Sequence, residues 1–573
     1  MEIQRTKIGY LVGGGLKENF RVRLTVSPQE IQEGAFVVIQ SGDWNYYGIV
    51  VDITLGATDS RFADEQTGLR YSPNIAKALY GQTLYANLEI LPNLMLEIGP
   101  EPGSPDYKDW QGMIDAGLKD PPRILPVKNV PPHHAQVYLA DEGDIAEIFG
   151  EQGKGGNFVI GYTREQNHPV CIDLDKFVQR SAGVFGATGT GKSFLTRVVL
   201  AGLINSNKAS VLVLDMHNEY GFDDIASDTK KPVVGLKSKF KSRLRVVGLG
   251  AGSTIRGQTP DFNLEIATND ISTSDIETLA RELNLKETTP TTLNALYSSF
   301  RHEWFESFRS MNREEVEVED EKGRIKKVPH SESVAAWANA NGVNVTAAEA
   351  LHDKLRRLFN KPYIVDRASS DSVREIIQSL ESGQHVVLSF GEFESDLDYL
   401  LVSNLLTRKI RAAWEHRTNE FRSHGPSAGR TEPRQLIIVV EEAHKLLNRE
   451  MAAQTTFATI ARELRKYYVT LLIVDQRPSQ IYDEVLSQLG TRICGWLGDE
   501  DDIHAVLSGL SGRDALRGML ARLQPKEEVL LLGWGVPMPL PVKSRRYDDS
   551  FWKSLLGGNG RRSKEENLKE LGF

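Results

Sequence analysis

A glycine-rich run between two apolar segments carries the residue types that bind nucleotide phosphates. It reads GATGTGKS and matches the pattern G-x-x-x-x-G-K-[ST] in full. Its glycines allow backbone N–H groups to approach phosphate oxygens without a Cβ clash. We expect Lys192 to reach the β- and γ-phosphates of ATP, and the Ser193 hydroxyl to ligate Mg²⁺. The predicted ATP site consists of Gly186, Ala187, Thr188, Gly189, Thr190, Gly191, Lys192 and Ser193.

Two apolar runs end in acids that would serve ATP hydrolysis. The run LIIVVEE ends in Glu441 and Glu442. Paired acids at a strand end are typical of ATPases in which one acid holds the Mg²⁺ shell and the other polarises the attacking water. We therefore assign Glu441 to the metal and Glu442 to the catalytic base. The run VLVLD ends in Asp215, with Glu219 four residues on, and these two either support the metal site or cap a helix.

A third apolar run, VTLLIVD, is followed by Gln476. A polar side chain there would sense the γ-phosphate and relay its loss. Just upstream, ARELRKYY presents Arg462, Arg465 and Lys466 on a predicted helix, and LGTRI adds Arg492. An arginine offered to the nucleotide of a neighbouring subunit would contribute about 10³–10⁵ in rate. For any single arginine, the alternative is a solvated helix face.

The elements that must position these groups alternate as in an α/β domain. The apolar runs AGVFG, ASVLVLD, HVVLSF, LIIVVEE and VTLLIVD are nearly continuous, which is typical of parallel strands buried on both faces. Helical patterns such as KSFLTRVVLAGLIN lie between several of them. Changes in composition divide the chain further. The predicted segments are a β-barrel over 1–100, a proline-rich connector over 101–132, an α/β core over 133–268 and 383–548, a mostly helical insertion over 269–382, and a mobile tail or short docking helix over 549–573.

The composition limits the class of protein. The chain has 77 acidic and 68 basic residues, a net charge of -9, which excludes a uniformly basic DNA-coating protein but not a local DNA-binding surface. Its only cysteines, Cys171 and Cys494, lie far apart, so we expect a reducing compartment and neither a disulfide framework nor a zinc knuckle. No apolar run approaches the ~18–20 residues of a membrane span, and no secretory signal is recognisable. We predict a cytoplasmic protein that has no membrane partner.

The motifs GATGTGKS, VLVLDMHNEYG, LIIVVEEAHKLL, VDQRPSQI and LGTRI resemble, in order and spacing, those of the HerA-type ATPases of the HerA/FtsK superfamily. The resemblance implies a RecA-like P-loop ATPase core with an N-terminal HAS-barrel-like domain. It also implies a homo-oligomeric ring, a hexamer, that uses ATP and Mg²⁺ to translocate along double-stranded DNA. HerA-type proteins typically work with a NurA-type nuclease in DNA end resection, which makes a nuclease the expected partner.

The same resemblance implies roles for individual residues. Lys192 and Ser193 match the ligands of the nucleotide and of Mg²⁺, Glu442 matches the base, and Gln476 matches the sensor. The family's trans-acting arginine lies in the stretch that matches ARELRKYY. A glycine is common there before the Arg-Lys pair, and this chain has Leu464 instead, so Arg465 is the first choice and Arg462 the second.

DNA contact is expected from loops that face the pore of the ring. The segment KKPVVGLKSKFKSRLR, residues 230–245, has seven basic residues in sixteen and no acid. Its contacts to phosphates would be independent of sequence and sensitive to salt. The alternative is a solvated surface loop.

Two other functions remain open for such a chain. One is a pump of the conjugation or secretion type, which usually carries or contacts a membrane anchor. The other is a nucleotide-gated scaffold of a repair or defence complex, in which hydrolysis only resets assembly. The presence of both Glu442 and Gln476 favours real turnover.

Overall fold

The computed structural model of the protein describes residues 5–58, 84–100, 104–226, 230–319, 325–368, 370–425, 431–452, 457, 460, 464–510 and 512–557. Within these ranges the chain forms a seven-stranded sheet and a 12-stranded sheet, together with three two-stranded pairs. The seven-stranded sheet is N-terminal, and the 12-stranded sheet contains the strands that carry the predicted nucleotide-site residues.

The N-terminal sheet is a closed barrel. Its strands are β1 (Lys7–Gly15), β2 (Glu18–Leu24), β3 (Phe36–Ser41), β4 (Trp44–Ala57), β5 (Leu84–Glu97), β6 (Ile124–Pro126) and β7 (Gln136–Leu139). The order β2-β1-β7-β3-β4-β5 is closed by pairing of β2 with β5, while β6 adds to one end of β5. Alternate side chains such as Phe20, Val22, Val37 and Ile39 are buried in the barrel's own core. The predicted N-terminal barrel is confirmed.

The barrel sheet extends beyond the segment predicted for it. The connector predicted over 101–132 contains helix α1 (Pro105–Asp115) and strand β6. Ser104 caps α1 by accepting the Tyr107 N–H at 3.1 Å, and the proline at the first helical position needs no partner for an N–H. Strand β7, four residues placed by sequence in the α/β core, lies between β1 and β3. The ring closes only with that strand, which is too short to be recognised from its own pattern.

The α/β core begins after the barrel. In chain order its first elements are α2 (Glu142–Phe149), β8 (Asn157–Tyr162), β9 (Pro169–Asp173), α3 (Leu174–Gln179), β10 (Ala182–Phe185), α4 (Lys192–Ser206), β11 (Ser210–Asp215), β12 (Asp224–Ile225), β13 (Pro232–Val233), α5 (Leu236–Phe240), β14 (Leu244–Leu249) and β15 (Phe262–Leu264). The residues from Val211 to Leu214 on β11 have no exposed surface. This is the burial on both faces that their continuous apolar run predicted.

A mostly helical segment follows β15. It contains β16 (Ile266–Ala267), α6 (Thr273–Glu277), α7 (Thr289–Phe300), α8 (Trp304–Ser310), β17 (Glu315–Glu319), β18 (Ile325–Pro329), α9 (Val334–Ala340), α10 (Val345–Phe359), β19 (Ile364–Val365) and α11 (Ser372–Glu381). On α10, Leu351, Leu355 and Leu358 recur at helical spacing and are buried. Within this helical segment the strands β17 and β18 form an antiparallel pair. The predicted helical character of the insertion is confirmed.

The core then resumes and completes the sheet. Its elements are β20 (His385–Ser389), α12 (Asp396–His424), β21 (Leu436–Glu441), α13 (His444–Leu447), α14 (Arg449–Ala452), β22 (Val469–Asp475), α15 (Asp483–Ser487), β23 (Thr491–Cys494), α16 (Glu500–Leu507), α17 (Arg513–Ala521), β24 (Glu528–Gly533), β25 (Leu540–Ser544) and α18 (Asp549–Gly557). Phe551 and Trp552 of α18 are buried, so the first part of the predicted tail is a docked helix. The rest of that tail, 558–573, lies outside the described residues. None of the helices in the described part of the chain has the length and apolar character of a membrane span.

Short 3₁₀ segments connect several elements. They are Pro28–Glu30, Lys241–Arg243, Thr268–Asp270, Arg301–Glu303, Leu464–Tyr467 and Pro478–Gln480. Two of them adjoin β22, since Leu464–Tyr467 precedes it and Pro478–Gln480 follows it. The segment Leu464–Tyr467 contains Arg465, the arginine predicted to act in trans.

The topology of the large sheet brings the predicted motifs to one edge. Its order is β15-β14-β20-β11-β21-β22-β10-β23-β24-β25-β8-β9. In this spatial order, the strands from β15 at one edge through β23 are parallel to their neighbours. The last four strands, β24, β25, β8 and β9, pair in antiparallel fashion. Ligands of such sheets bind at the carboxyl ends of the parallel strands. Because β21, β22 and β10 are neighbours, the acids after β21, the glutamine after β22 and the phosphate loop after β10 meet there.

Candidate active site

The phosphate loop joins β10 to α4, and hydrogen bonds to its backbone carbonyls hold its conformation. Gly189 and Gly191 have φ of +77° and +87°, values that glycine adopts without steric cost. The Thr190 hydroxyl donates to the Ala187 carbonyl at 2.7 Å, and the Lys526 N–H donates to the Thr190 carbonyl at 3.1 Å. No side chain caps α4, because Gly191 is its N-cap. The first-turn N–H groups of α4 are therefore available to an anion.

Side chains from the phosphate loop and from the turn after β22 converge on Glu442. The Gln476 Nε2 donates to its Oε2 at 3.1 Å, and the Lys192 Nζ lies 3.7 Å from its Oε1. The Thr188 hydroxyl of the phosphate loop donates to the Gln476 Oε1 at 2.6 Å. The side chains of Lys192 and Glu442 each remain 15% exposed. The contacts therefore run from the phosphate loop through Gln476 to a carboxylate that solvent still reaches.

The backbone at Glu442 turns sharply away from the line of β21. Its φ is +45°, in the left-handed region that non-glycine residues rarely adopt. The Glu442 carbonyl accepts the Lys445 N–H at 2.9 Å, which closes the turn into α13. Such conformations persist only where neighbouring groups hold them, and they cluster at functional sites. As a result, the two adjacent acids lie in different surroundings. Glu441 is buried, whereas Glu442 is partly exposed beside Lys192.

Glu441 belongs to a buried group of acids. Its Oε1 accepts the hydroxyl of Tyr220, and its Oε2 is buried with no hydrogen-bond partner among the described residues. Burial first, and then the charges of Asp215 and Glu219, raise the pKa of Glu441 well above its usual value. Burying several carboxylates without a compensating cation is costly. A bound cation would therefore stabilise the ionised form of these carboxylates.

The donor set fits Mg²⁺. Oxygen ligands suit this ion, which usually takes one or two carboxylates and completes its shell with water and substrate phosphates. Glu441 offers a carboxylate oxygen without a partner among the described residues, and Ser193 is the second residue of the helix that follows the phosphate loop. Among the described residues, no group of three or more His, Cys, Asp or Glu side chains could hold a metal ion by itself. A metal here would thus depend on the hydroxyl of Ser193 and on the phosphates of the nucleotide.

Asp215 caps the turn after β11. Its carboxylate accepts the N–H groups of Glu219 at 2.8 Å and Tyr220 at 3.0 Å. The carbonyl of Glu219 accepts Arg197 Nε at 3.2 Å, while its Oε2 is buried without a partner in the described part of the chain. Asp215 thus caps a turn rather than a helix, because no helix lies between β11 and β12. The capping also fixes Tyr220, the hydroxyl donor to Glu441.

Two contact residues of the site were missed by sequence reasoning. Asp475 ends β22 and binds His444, which follows the paired acids, with 3.0 Å between His444 Nδ1 and Asp475 Oδ2. The sequence did contain a signal for Asp475, because it ends an apolar run, as Asp215 does. Tyr220 gave no such signal, because its partner Glu441 is 221 residues away in sequence.

Arg465, the first choice for an arginine that acts in trans, does not lie in the nucleotide site of its own chain. Arg465 is exposed and lies just before β22, at the amino end of a strand whose carboxyl end carries Gln476. It thus sits at the opposite edge of the sheet from the phosphate loop. Arg462 lies outside the described residues.

The prediction for Arg492 is wrong. Arg492 is 3% exposed, and its guanidinium donates to the carbonyls of Ser508 at 2.7 Å and Leu486 at 2.9 Å. Each bond satisfies a carbonyl at the end of a helix in the same subunit, either α16 or α15. A guanidinium held in this way cannot reach another subunit's nucleotide.

The basic segment 230–245 is partly neutralised by contacts within the chain. Lys237 Nζ lies 2.7 Å from the Asp261 carboxylate, and Arg245 Nη2 lies 2.6 Å from that of Glu375. The exposed basic residues outside these pairs include Lys230, Lys231 and Lys241. DNA contact through this segment stays a prediction, and these exposed lysines are the residues best placed to make it.

The fold and the site together define a P-loop ATPase that carries an N-terminal barrel. Residues 158–410 match the family model for the central domain of helicase HerA. The DNA double-strand break repair helicase HerA of Sulfurisphaera tokodaii is 24% identical over 551 residues, which cover 94% of this chain and 93% of that protein. Its counterpart from Saccharolobus solfataricus is 23% identical over 563 residues, 96% of this chain and 94% of the relative. Over nearly its full length the protein is thus similar to HerA-type ATPases.

A similarity is also found among solved structures. VirB4 of Thermoanaerobacter pseudethanolicus superposes with a TM-score of 0.41 at 14% identity, over 70% of this chain and 99% of that one. The bacterial conjugative coupling protein TrwB superposes with a TM-score of 0.42 at 12% identity, over 71% of this chain and 92% of that one.

Proposed function

We propose that the protein is an ATP-driven, ring-forming translocase or helicase that acts on double-stranded DNA. The observation that carries this proposal is the convergence on Glu442 of Lys192, at 3.7 Å, and Gln476, at 3.1 Å. These groups match a complete hydrolytic set in a chain whose near-full-length relatives are named DNA double-strand break repair helicases. The proposal includes a role in repair for this chain.

The phosphate loop would bind the triphosphate of ATP. Backbone donors of Gly189, Gly191 and the first turn of α4 would face the phosphate oxygens, and Lys192 would neutralise the β- and γ-phosphates. Ser193 and Glu441 would hold Mg²⁺. When bound, that ion neutralises charge that develops on the phosphate oxygens.

Glu442 would act as the general base. Its carboxylate is partly exposed beside Lys192. It would orient a water molecule and accept the proton of that water as the γ-phosphate is attacked. Gln476 is bonded both to Glu442 and to the phosphate-loop residue Thr188. A displacement of the loop on loss of the γ-phosphate would thus be passed to Gln476 and to the 3₁₀ segment that follows it. Asp215 and Glu219 would support the metal site through their charge.

Arg465 would complete the site of a neighbouring subunit. It is exposed and lies at the sheet edge opposite its own phosphate loop, which suits a residue that acts across a subunit boundary. A guanidinium there would neutralise charge on the transferred phosphoryl group. Arg462, three residues earlier, is the fallback for this role.

Hybrid rings test the trans role. Arg465→Ala and Lys192→Ala subunits are each expected to be inactive alone, whereas their mixture should regain part of the ATPase rate. Recovery follows because a Lys192→Ala subunit still offers Arg465 to an intact phosphate loop next to it. The measurement is steady-state ATPase across mixing ratios, with Arg492→Lys as a comparison whose arginine is buried.

Absence of rescue at every ratio, with Arg462→Ala complementing instead, would move the role to Arg462. Rescue by neither variant would contradict shared sites between subunits.

The oligomer and the partners form part of the same proposal. The ring would be a hexamer, and a NurA-type or other nuclease would use the DNA ends that the motor delivers, as the family resemblance implies. Exposed lysines of segment 230–245 would contact phosphates without reading sequence.

Stimulation of ATP hydrolysis by linear duplex DNA tests the proposed function. We expect the wild-type steady-state rate to rise several-fold when duplex is added, and the rise to shrink as salt increases, since phosphate contacts release counterions. The matched control is the same titration with Lys192→Ala. A hydrolysis rate unaffected by DNA would contradict the motor and favour a nucleotide-gated scaffold.

A further inference from the structure

A buried carboxylate beside the site has no part in the roles assigned above. Asp475 ends β22 and has no exposed surface. Its Oδ2 accepts the His444 N–H at 2.7 Å and contacts His444 Nδ1 at 3.0 Å, and its Oδ1 accepts the Arg477 N–H at 2.7 Å. Asp475 thereby ties the turn after β21 to the turn after β22.

Each of the two turns carries a residue of the hydrolytic set. Glu442 lies two residues before His444, and Gln476 lies between Asp475 and Arg477. The bonds of Asp475 therefore fix the distance between the candidate base and the candidate sensor. They do so at the point where Glu442 departs from an ordinary backbone conformation, with φ of +45°.

The side chain of His444 lies close to two carboxylates. Its Nδ1 is 3.0 Å from Asp475 Oδ2 and 3.7 Å from Glu442 Oε2. The hydrogen bond to Asp475 raises the pKa of His444 above its usual value. Burial opposes ionisation of Asp475, yet the hydrogen bond and charge of His444, with two backbone donors, hold the pKa of Asp475 below its usual value. The His444 ring thus lies between the carboxylates of Asp475 and Glu442 and joins them.

We propose that Asp475 is a positioning residue that, through His444, holds the Glu442 carboxylate in the orientation in which it activates water. The inference rests on the assignment of Glu442 as the base in the proposed function. Closing a turn requires only an acceptor for its backbone N–H groups, whereas the Asp475–His444 pair also places a ring nitrogen 3.7 Å from a third group. That third group is Glu442, which Lys192 and Gln476 contact as well.

The substitution Asp475→Asn tests this role. It keeps the size of the side chain and an oxygen for one of the two backbone N–H groups, and it removes the negative charge that faces His444. We expect kcat for basal ATP hydrolysis to fall about 10–100-fold, as for a displaced catalytic group. KM for ATP should change by less than about 3-fold, because the phosphate loop is not involved.

Asp275→Asn is the matched control. Asp275 is also fully buried and also paired with a cation, since Arg408 Nη2 lies 2.6 Å away, but it caps α6 in the helical insertion. Its loss should lower the melting temperature and leave kcat within about 2-fold of wild type. A normal kcat in folded Asp475→Asn would overturn the inference, as would a kcat that falls only in proportion to the loss of folded protein.

Double substitutions separate positioning from general damage. In a Glu442→Gln background, Asp475→Asn should lower the residual rate by less than about 2-fold, because the group it positions is already gone. His444→Asn should reproduce the loss of kcat, and adding it to Asp475→Asn should cost little more. His444 is 20% exposed, so this variant also serves if Asp475→Asn does not fold. Independent losses that multiply would overturn the inference.

These results also distinguish the inference from the proposed function. Hydrolysis retained in Glu442→Gln would remove the base assignment and the inference with it. Hydrolysis lost in Glu442→Gln but normal in folded His444→Asn and Asp475→Asn would overturn the positioning role alone.

Discussion

Glu442→Gln is expected to lower the rate of ATP hydrolysis by about 10²–10⁴-fold, the usual contribution of a general base. Glutamine has the same shape and retains an oxygen for the Gln476 Nε2, now 3.1 Å from the carboxylate, but it cannot accept a proton. The phosphate loop is untouched, so ATP should still bind. Single-turnover hydrolysis of radiolabelled ATP, with equilibrium binding of the same nucleotide, measures both quantities.

Glu450→Gln provides the control for this prediction. Glu450 is an exposed acid on α14, close in sequence to Glu442 but outside its contacts. Its substitution should leave hydrolysis within about 2-fold of wild type, as for most surface positions. If Glu442→Gln hydrolyses ATP as fast as Glu450→Gln does, Glu442 is not the base.

Lys192→Ala is expected to abolish hydrolysis and to weaken ATP binding while the protein stays folded. A hydrogen bond to a charged group contributes about 1.5–3 kcal/mol, so the affinity for ATP should fall about 10–100-fold. Lys192 is the first residue of α4, and alanine is the best helix former, which predicts little change in the helix. Calorimetric titration with ATP and the thermal unfolding curve measure the two effects.

Lys208→Ala is the matched control for Lys192→Ala. Lys208 follows the other end of α4 and pairs with Asp175 at 2.9 Å on the surface. Exposed pairs of this kind contribute about 0–1 kcal/mol, so both binding and hydrolysis should persist. Hydrolysis at the wild-type rate in Lys192→Ala would remove the phosphate-loop assignment, and an unfolded Lys192→Ala would instead show that the lysine is structural.

The parts of the site that are local in sequence could be predicted. The phosphate loop is one continuous pattern, and the parallel strands are continuous apolar runs, so their carboxyl ends could be located and placed at one edge. This was enough to bring Lys192, Glu442 and Gln476 together, as the distances in the structure confirm.

Contacts between distant segments could not be predicted. The bond from Tyr220 to Glu441 joins the turn after β11 to the last residue of β21, and nothing in either segment specifies the other. The burial of Arg492 depends on the ends of α15 and α16, which lie on either side of β23. Strand β7 belongs to the barrel only because β1 and β3 leave a gap that it fills. In each case the deciding interaction is tertiary.

The charge distribution follows the same division. The net charge of -9 excluded a uniformly basic surface. It did not reveal that Asp215, Glu219 and Glu441 are concentrated in one buried group, where burial and mutual repulsion raise the pKa of Glu441. That concentration of acid favours a bound cation beside the phosphate loop.

We propose that ATP hydrolysis drives movement along duplex DNA, and the dependence of the ATPase rate on duplex length tests this coupling. At a fixed concentration of DNA ends, a translocase hydrolyses more ATP on longer duplexes, since each binding event includes more steps. We expect the wild-type rate to rise with length and then level off, and the Glu442→Gln rate to stay at background for every length. A wild-type rate that is the same on short duplexes, on long duplexes and without DNA would show that hydrolysis does not drive movement along duplex DNA.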